Sequence, residues 1–194
     1  MTYVDLLVNL LRPAGQAPLP DPWVEPIRQA ATQHGLEPSL YASLLFQESS
    51  LRPDAFGPPN GMGLAQLEPL ARRWTGIQNP YDPYQSILAG AQWAQQLARE
   101  LGGSPPVEAL LAAYNAGSPA VTRALQQGRP LTQVTAHPDY IPSILRNQAY
   151  YEPWFAAPAP APVAPERTVW PVLPRPQPFE DTRGRPLLGE LGGF

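Results

Sequence analysis

Proline is unevenly distributed along this chain, and its distribution limits where regular structure can form. The 194 residues include 28 prolines, and proline breaks helices and central strands because it lacks an N–H and fixes φ. Four prolines fall between Pro13 and Pro22, and nine lie in the 39 residues from Ala156 to Phe194. A folded domain is therefore expected between these two segments, over residues 23–155.

The flanking segments, 1–22 and 156–194, are expected to act as attachments. An apolar patch from Tyr3 to Leu11 predicts a short amphipathic helix, which a proline-rich linker follows. No basic residue precedes the patch, and it is too short to span a bilayer, so we expect neither a signal peptide nor a membrane span. The segment 156–194 begins with an Ala-Pro alternation and has too few bulky residues for its own core, which predicts an extended docking tail.

Between the flanks, apolar residues recur at helical spacing and strand alternation is nearly absent. This pattern predicts a small all-α domain with short loops. Asp21 with Pro22 is a typical helix start, whereas Gly35 and Gly117 are typical of positions just after a helix. The predicted helices cover residues 23–34, 38–50, 69–75, 83–101, 106–115, 119–127 and 139–151.

Composition and charge exclude several classes of function. The chain has 13 basic residues, all arginine, and 16 acidic ones, giving a net charge of −3 without a basic stripe. This argues against a nucleic-acid partner. The absence of cysteine excludes thiol nucleophiles, thiolate metal sites and disulfides. His34 and His137 lack metal-ligand spacing, so we expect both at the surface or in loops, and neither a metal nor a cofactor.

Glu48 places a carboxylate on an apolar helix face. It shares a face of the 38–50 helix with Tyr41, Leu44 and Leu45, at relative positions 0, 3, 4 and 7, near the C-terminal end. Desolvation and the negative end of the helix dipole both disfavour its ionised form. A carboxyl that stays protonated can act as a general acid. A side chain turned off the helix end into water fits this helix equally well.

The residues after Glu48 favour the first interpretation. A loop with three glycines, including Gly57 and Gly63, lets backbone approach a ligand closely. It ends at Gln66, whose amide can both donate to and accept from the hydroxyl and acetamido groups of a sugar. Farther along, Tyr114 lies on the apolar face of the 106–115 helix, where a phenol can hydrogen-bond a buried carboxyl and fix its rotamer.

Together these residues resemble the soluble lytic transglycosylase family, whose goose-lysozyme-like domain cleaves peptidoglycan glycan strands. The similarity covers residues 23–151. It rests on five landmarks in the expected order: Glu48-Ser49 followed by Pro53-Asp54-Ala55; Gly61-Met62-Gly63-Leu64-Ala65-Gln66-Leu67 with Pro69; Asn79-Pro80 leading into Ile87-Leu88-Ala89-Gly90; Ala113-Tyr114-Asn115-Ala116-Gly117; and Tyr140 followed by Ile141 and Ile144.

The resemblance implies that Glu48 is a single catalytic acid and base. It would protonate the glycosidic oxygen between N-acetylmuramic acid and N-acetylglucosamine, and then take a proton from the muramic acid's own 6-hydroxyl to leave a 1,6-anhydro end. Ordinary glycosidases use two carboxylates about 5 to 9.5 Å apart. The nearest other acids are interpreted as structural, Asp54 as a loop cap and Glu68 as a helix-start residue before Pro69.

Substrate-binding roles carry over from the family to Gly63, Leu64, Gln66, Tyr114, Asn115 and Tyr140. Of these, Gln66 and the Gly63-Leu64 backbone are expected to line the cleft, and Tyr114 to orient Glu48. Asn115 and Tyr140 are expected to shape the sugar-binding wall. A core role for Tyr140 and a helix-end cap at Asn115 stay open as alternatives.

The chain departs from the family pattern at three places. Gly57 stands where serine is common, Ala65 where methionine is common, and Ala136-His137 where a Glu-Thr pair is common. The first change removes a hydroxyl that often contacts the acid or the substrate. Slower catalysis or a shifted binding register is therefore expected, with Glu48 itself retained.

A biological role follows from the missing export signal. Our leading hypothesis is a phage virion component, in the tail or the internal ejection machinery, that opens the host cell wall locally and docks to virion proteins through 1–22 and 156–194. A goose-type hydrolase that uses water is the alternative with related chemistry. A structural virion protein with a degenerate sugar-binding domain is the alternative from another class.

Overall fold

The computed structural model describes residues 17–156, so the predicted N-terminal helix and the tail after residue 156 lie outside the described residues. The predicted all-α class is confirmed. Seven α-helices occur in this range: α1 (Asp21–Gln33), α2 (Pro38–Ser49), α3 (Pro69–Thr75), α4 (Pro83–Glu100), α5 (Val107–Ala116), α6 (Ser118–Gln126) and α7 (Tyr140–Ala156). Strands β1 (Phe56–Gly57) and β2 (Gly61–Met62) pair antiparallel between α2 and α3, and a 3₁₀ turn covers Leu131–Gln133.

Helix α2 runs through the centre of the domain. Eight of its 12 residues are buried, so the helix is covered on most of its sides rather than on one face only. Its start is fixed by the Glu37 carboxylate, which accepts hydrogen bonds from the backbone N–H groups of Ser39 at 3.1 Å and Leu40 at 2.7 Å. Along its length α2 packs against α7, where the buried Ser43 hydroxyl donates to the Ile144 carbonyl at 2.6 Å.

The remaining helices enclose α2. Helix α1 packs against α4, and α5 contacts α4, α6 and α7. The largest apolar side chains that are fully buried come from helices and from the loop before α3: Ile27, Leu45, Leu64, Leu67, Ile87, Leu97, Leu111 and Ile144. None of the helices among residues 17–156 combines the length and apolarity that a membrane span requires.

Helix α7 continues five residues beyond its predicted end at residue 151. Pro153 lies inside the helix, yet the last turn persists because other groups hold it. The Arg28 guanidinium donates to the carbonyls of Trp154 at 3.1 Å and Phe155 at 2.9 Å, and it lies 5.4 Å above the Phe155 ring. The long-range contact from α1 therefore replaces a local stop signal.

Candidate active site

Glu48 lies in the last turn of α2 and keeps part of its surface open to a cleft. Just beyond it, Ser50 and Leu51 both adopt left-handed backbone conformations, with φ of 55° and 57°, which turn the chain sharply away from the helix. Burial raises the pKa of the Glu48 carboxyl to about 7; a hydrogen bond from Tyr140 opposes this shift and the charge of Glu68 adds to it. Glu48 is therefore a group that can both give and take a proton near neutral pH.

Tyr140, the first residue of α7, contacts the Glu48 carboxyl. Its hydroxyl donates a hydrogen bond to Glu48 Oε1, and its side chain is 5% exposed. Burial and the neighbouring carboxylate raise the pKa of the Tyr140 phenol well above its ordinary value, so it stays a donor. Tyr140 does not line the cleft. The Tyr140 side chain is used in packing and in this bond, which favours the core role left open as an alternative, and its part in the sugar-binding wall stays a prediction.

Tyr114 has the opposite placement. It lines the cleft, but its hydroxyl donates to the Ala65 carbonyl at 2.9 Å rather than to Glu48. The prediction that Tyr114 orients Glu48 is therefore wrong, and the two tyrosines exchange the expected roles. Helical spacing places a phenol inward correctly, but which acceptor it meets depends on how α5 and α7 pack, which the spacing does not encode.

The Gln66 side chain lies in a cradle made by the loop. Gln66 has a left-handed φ of 46°, and its Nε2 donates to the carbonyls of Ala55 at 3.1 Å and Gly63 at 2.8 Å. A β-carbon at Gly57 or Gly61 would lie only 2.7 or 2.8 Å from Gln66 Oε1. Gln66 lines the cleft as expected, but its amide also ties the loop together, with the nitrogen committed and the oxygen left as an acceptor.

Gly63 and Leu64 are both buried in the loop before α3. Leu64 is fully buried. A β-carbon at Gly63, whose φ is 74°, would lie 1.8 Å from the Pro80 carbonyl oxygen, so only glycine permits this backbone contact. Both residues are therefore used in packing, and the lining of the cleft by their backbone stays a prediction.

Asn115, in the last turn of α5, lines the cleft. Its Oδ1 accepts a hydrogen bond from the Ala136 backbone N–H at 2.7 Å, so Nδ2 is the group it can offer to a ligand. In this chain Ala136-His137 replaces the Glu-Thr pair common in the family. Because the link to α5 is made by the backbone N–H of Ala136, it does not require the side chains of that pair. His137 is exposed, as predicted, whereas His34 is partly buried and its Nδ1 lies 3.2 Å from Gln95 Oε1.

The cleft has a volume of about 370 Å³. Its lining comes from two parts of the fold. The first, called here the acid wall, carries Glu48, Tyr114 and Asn115, and the second, called the loop wall, consists of residues of the loop before α3, of α3 itself and of α4: Gln66, Leu67, Glu68, Leu70, Ala71 and Trp93. Trp93 pairs with Trp74 at a ring-centroid distance of 5.9 Å and an interplanar angle of 60°. Sequence reasoning missed Leu70, Ala71 and Trp93.

The two other acids near Glu48 in sequence have different positions. Asp54 is exposed and makes no hydrogen bond to another described residue, so the predicted loop cap is not formed. Glu68 occupies the N-cap position of α3, in agreement with its interpretation as a helix-start residue, and it also lines the cleft together with Glu48. Ala65 is fully buried, and a β-carbon at Gly90 would lie 2.6 Å from its own, so this departure from the family falls in the core. Within residues 17–156 no three His, Asp or Glu side chains converge on a metal-binding arrangement.

A partly buried glutamic acid with a raised pKa, in a cleft between helices, is the arrangement of the general acid in lysozyme. The family model described as Transglycosylase SLT domain matches residues 25–133, and the chain belongs to that family. It is 31% identical over 140 residues to the membrane-bound lytic murein transglycosylase F of Cellvibrio japonicus. The aligned region covers 66% of this chain and 28% of that protein. It is also 35% identical over 96 residues to the transglycosylase of Enterobacteria phage PRD1. That aligned region covers 50% of this chain and 35% of the phage protein.

Solved structures agree with this assignment. An inactive mutant of the lytic transglycosylase Slt from Pseudomonas aeruginosa superposes with a TM-score of 0.58 at 25% identity, over 70% of this chain and 25% of that one. The 70 kDa soluble lytic transglycosylase of Escherichia coli shares the fold, with a TM-score of 0.56 at 22% identity over 69% and 24% of the two chains. The chain thus spans about a quarter to a third of the length of these relatives.

Proposed function

We propose that this chain is a peptidoglycan lytic transglycosylase that cleaves the bond between N-acetylmuramic acid and N-acetylglucosamine with formation of a 1,6-anhydro end. The observation that carries the proposal is the state of Glu48: its pKa of about 7, its bond from Tyr140 and its position in the cleft. The family and the names of the relatives support the same chemistry.

We infer the atoms that take part in each step from the hydrogen bonds around Glu48. Tyr140 occupies Glu48 Oε1, so Oε2 carries the proton that passes to the glycosidic oxygen as the bond from the anomeric carbon breaks. The resulting carboxylate then accepts the proton of the sugar's 6-hydroxyl while that oxygen bonds to the anomeric carbon. No water is consumed. Nδ2 of Asn115 can donate to, and Oε1 of Gln66 can accept from, the polar groups of the sugar.

Digestion of purified sacculi tests the proposal. The wild-type protein should release fragments with anhydro ends, and Glu48→Gln should release none while keeping its fold by circular dichroism. Glu108→Gln, an exposed acid of α5 that does not line the cleft, is the matched control and should match the wild type. Intact sacculi with folded wild-type protein, or products that persist in Glu48→Gln, would contradict it.

Glu68 favours hydrolysis as the second candidate, because a second carboxylate in the cleft is what an ordinary glycosidase uses. Mass spectrometry separates the two reactions, since each hydrolysed end is heavier by one water than the anhydro end. Predominance of hydrated ends would replace the transglycosylase proposal with the hydrolase.

We also propose that the protein acts from a phage virion, in the tail or ejection apparatus. The phage PRD1 relative supports this role. The docking segments 1–22 and 156–194 lie almost wholly outside the described residues, so the partner proteins are proposed from the sequence. Copurification of virion proteins with the full chain, but not with a chain ending at residue 156, is the expected result; equal copurification by both chains would contradict docking through the tail.

A further inference from the structure

Glu68 is a carboxylate in the cleft that no packing role explains. It precedes α3, yet its side chain makes no capping hydrogen bond to that helix. Its natural partner would be Arg72, one turn along. However, Nη1 of Arg72 donates to the carbonyls of Asn60 at 2.7 Å and Leu67 at 2.6 Å. Among the described residues, no hydrogen bond or ion pair is formed by the Glu68 carboxylate.

The backbone on both sides of Glu68 is nevertheless fixed. Leu67 is 1% exposed and pairs with Met62 in an isolated bridge. Pro69 follows directly and restricts Glu68 to an extended conformation, with φ of −73° and ψ of 166°. The backbone of Glu68 is therefore held by rigid neighbours, and its exposed side chain lines the same cleft as Glu48.

From this placement we propose that Glu68 is a substrate-contacting residue, whose carboxylate accepts a hydrogen bond from a hydroxyl or an amide N–H of the amino sugar bound beside Glu48. The inference rests on the proposed function. A carboxylate accepts but does not donate, so it selects the donor groups of a glycan. Such a bond is charge-assisted, which makes it stronger than one between neutral groups.

The charge of Glu68 has a second effect. The groups that bear on Glu48 are Tyr140 from α7, Tyr114 from α5 and Glu68 from the loop before α3. The negative charge of Glu68 favours the protonated form of Glu48, so its removal should lower the pKa of that carboxyl. Because the acid must be protonated to act, the alkaline limb of the activity profile should then move to lower pH.

Affinity without turnover gives the first test. A GlcNAc-MurNAc tetrasaccharide is titrated into Glu48→Gln, into Glu48→Gln with Glu68→Gln, and into Glu48→Gln with Glu108→Gln. We expect about fivefold to tenfold weaker binding only when Glu68 is changed, as for loss of a hydrogen bond to a charged group that is partly solvated. Equal affinity in all three variants overturns the proposal, and so does an absence of binding.

Kinetics on sacculi give the second test. Glu68→Gln should raise KM more than it lowers kcat and should shift the alkaline limb to lower pH, whereas Glu68→Asp should restore part of both. A role confined to folding would move neither the KM-to-kcat split nor the pH limb. If the wild-type protein does not cleave sacculi but its affinity for the tetrasaccharide still depends on Glu68, the proposed reaction is overturned and the proposed contact is kept. If the wild-type protein cleaves sacculi but neither its affinity nor its kinetics depend on Glu68, the proposed contact is overturned and the proposed reaction is kept.

Discussion

The two walls of the cleft are built on different physical principles. The acid wall consists of helices, and Glu48 is held there by buried side chains and by Tyr140 from α7. The loop wall begins with a loop in which backbone approaches backbone, as at Gly63 and Pro80, and in which Gln66 adopts a left-handed φ. Substitutions on the acid wall should therefore change chemistry first, and substitutions in the loop should change stability first.

The largest expected effect on stability is at Gly63. Gly63→Ala places a β-carbon 1.8 Å from the Pro80 carbonyl oxygen and forces alanine to a φ of 74°. We expect a loss of about 3 to 5 kcal/mol in the free energy of unfolding, from left-handed strain and overpacking together. Denaturant unfolding measures it.

Gly35→Ala is the matched control for Gly63→Ala. Gly35 has nearly the same φ, 73°, but nothing lies within 4 Å of its β-carbon position. It should cost only the backbone strain, about 1 to 2 kcal/mol. Equal losses in the two variants would show that the loop does not depend on close backbone contact.

On the acid wall, the raised pKa of Glu48 should cost stability. Its folded-state pKa of about 7 exceeds the ordinary 4.5, so the folded protein binds the proton more tightly, and this stabilisation is present below pH 4.5 and lost as pH rises through 7. Glu48→Gln should therefore be about 3 kcal/mol more stable than wild type at pH 8. At pH 4 the two should be alike.

Thermal unfolding at both pH values checks the prediction for Glu48. Glu108→Gln, an exposed control, should follow the wild type at each pH. A variant at Glu48 that is no more stable at pH 8 than the wild type would mean that the carboxyl is solvated in the folded protein. Burial of its charge would then not destabilise the acid wall.

The two tyrosines offer a smaller but sharper contrast. Tyr140→Phe removes the hydrogen bond to Glu48, so kcat should fall about tenfold. Because that bond lowers the pKa of Glu48, the alkaline limb of the profile should move to higher pH. Tyr114→Phe loses only its bond to the Ala65 carbonyl and should leave the limb in place. A limb that moved in Tyr114→Phe instead would restore the role first predicted for Tyr114.

Sequence patterns predicted the helices and the acid better than they predicted the contacts of the acid. Spacing placed Glu48 and Tyr114 on inward faces, because each side chain's direction is set within one helix. The bond between Tyr140 and Glu48 joins residues 92 positions apart. It depends on the packing of α7 against α2, to which local spacing is insensitive.

The contacts within the loop were not predicted, for a related reason. Its glycines signalled close approach, but they do not say what approaches. Gln66 fills the space beside Gly57 and Gly61, the Pro80 carbonyl fills the space beside Gly63, and Glu68 lines the cleft. These positions follow from the folded backbone rather than from residue type.

The smallest predicted effect concerns Gly57, where the family commonly has serine. Gly57→Ala puts a β-carbon 2.7 Å from Gln66 Oε1, and the amide cannot retreat freely because its nitrogen is bound to Ala55 and Gly63. We expect a loss of about 1 kcal/mol in the free energy of unfolding, the usual cost of one net hydrogen bond.

A double-mutant cycle with Gln66→Ala isolates the contact between Gly57 and Gln66. With the amide gone there is nothing for the new methyl group to displace, so Gly57→Ala should then cost almost nothing, which gives a coupling energy of about 1 kcal/mol. Strict additivity would mean that Gly57 tolerates a side chain without moving Gln66. In that case glycine at this position would not be explained by the amide, and the loop wall would depend on Gly63 rather than on the cradle around Gln66.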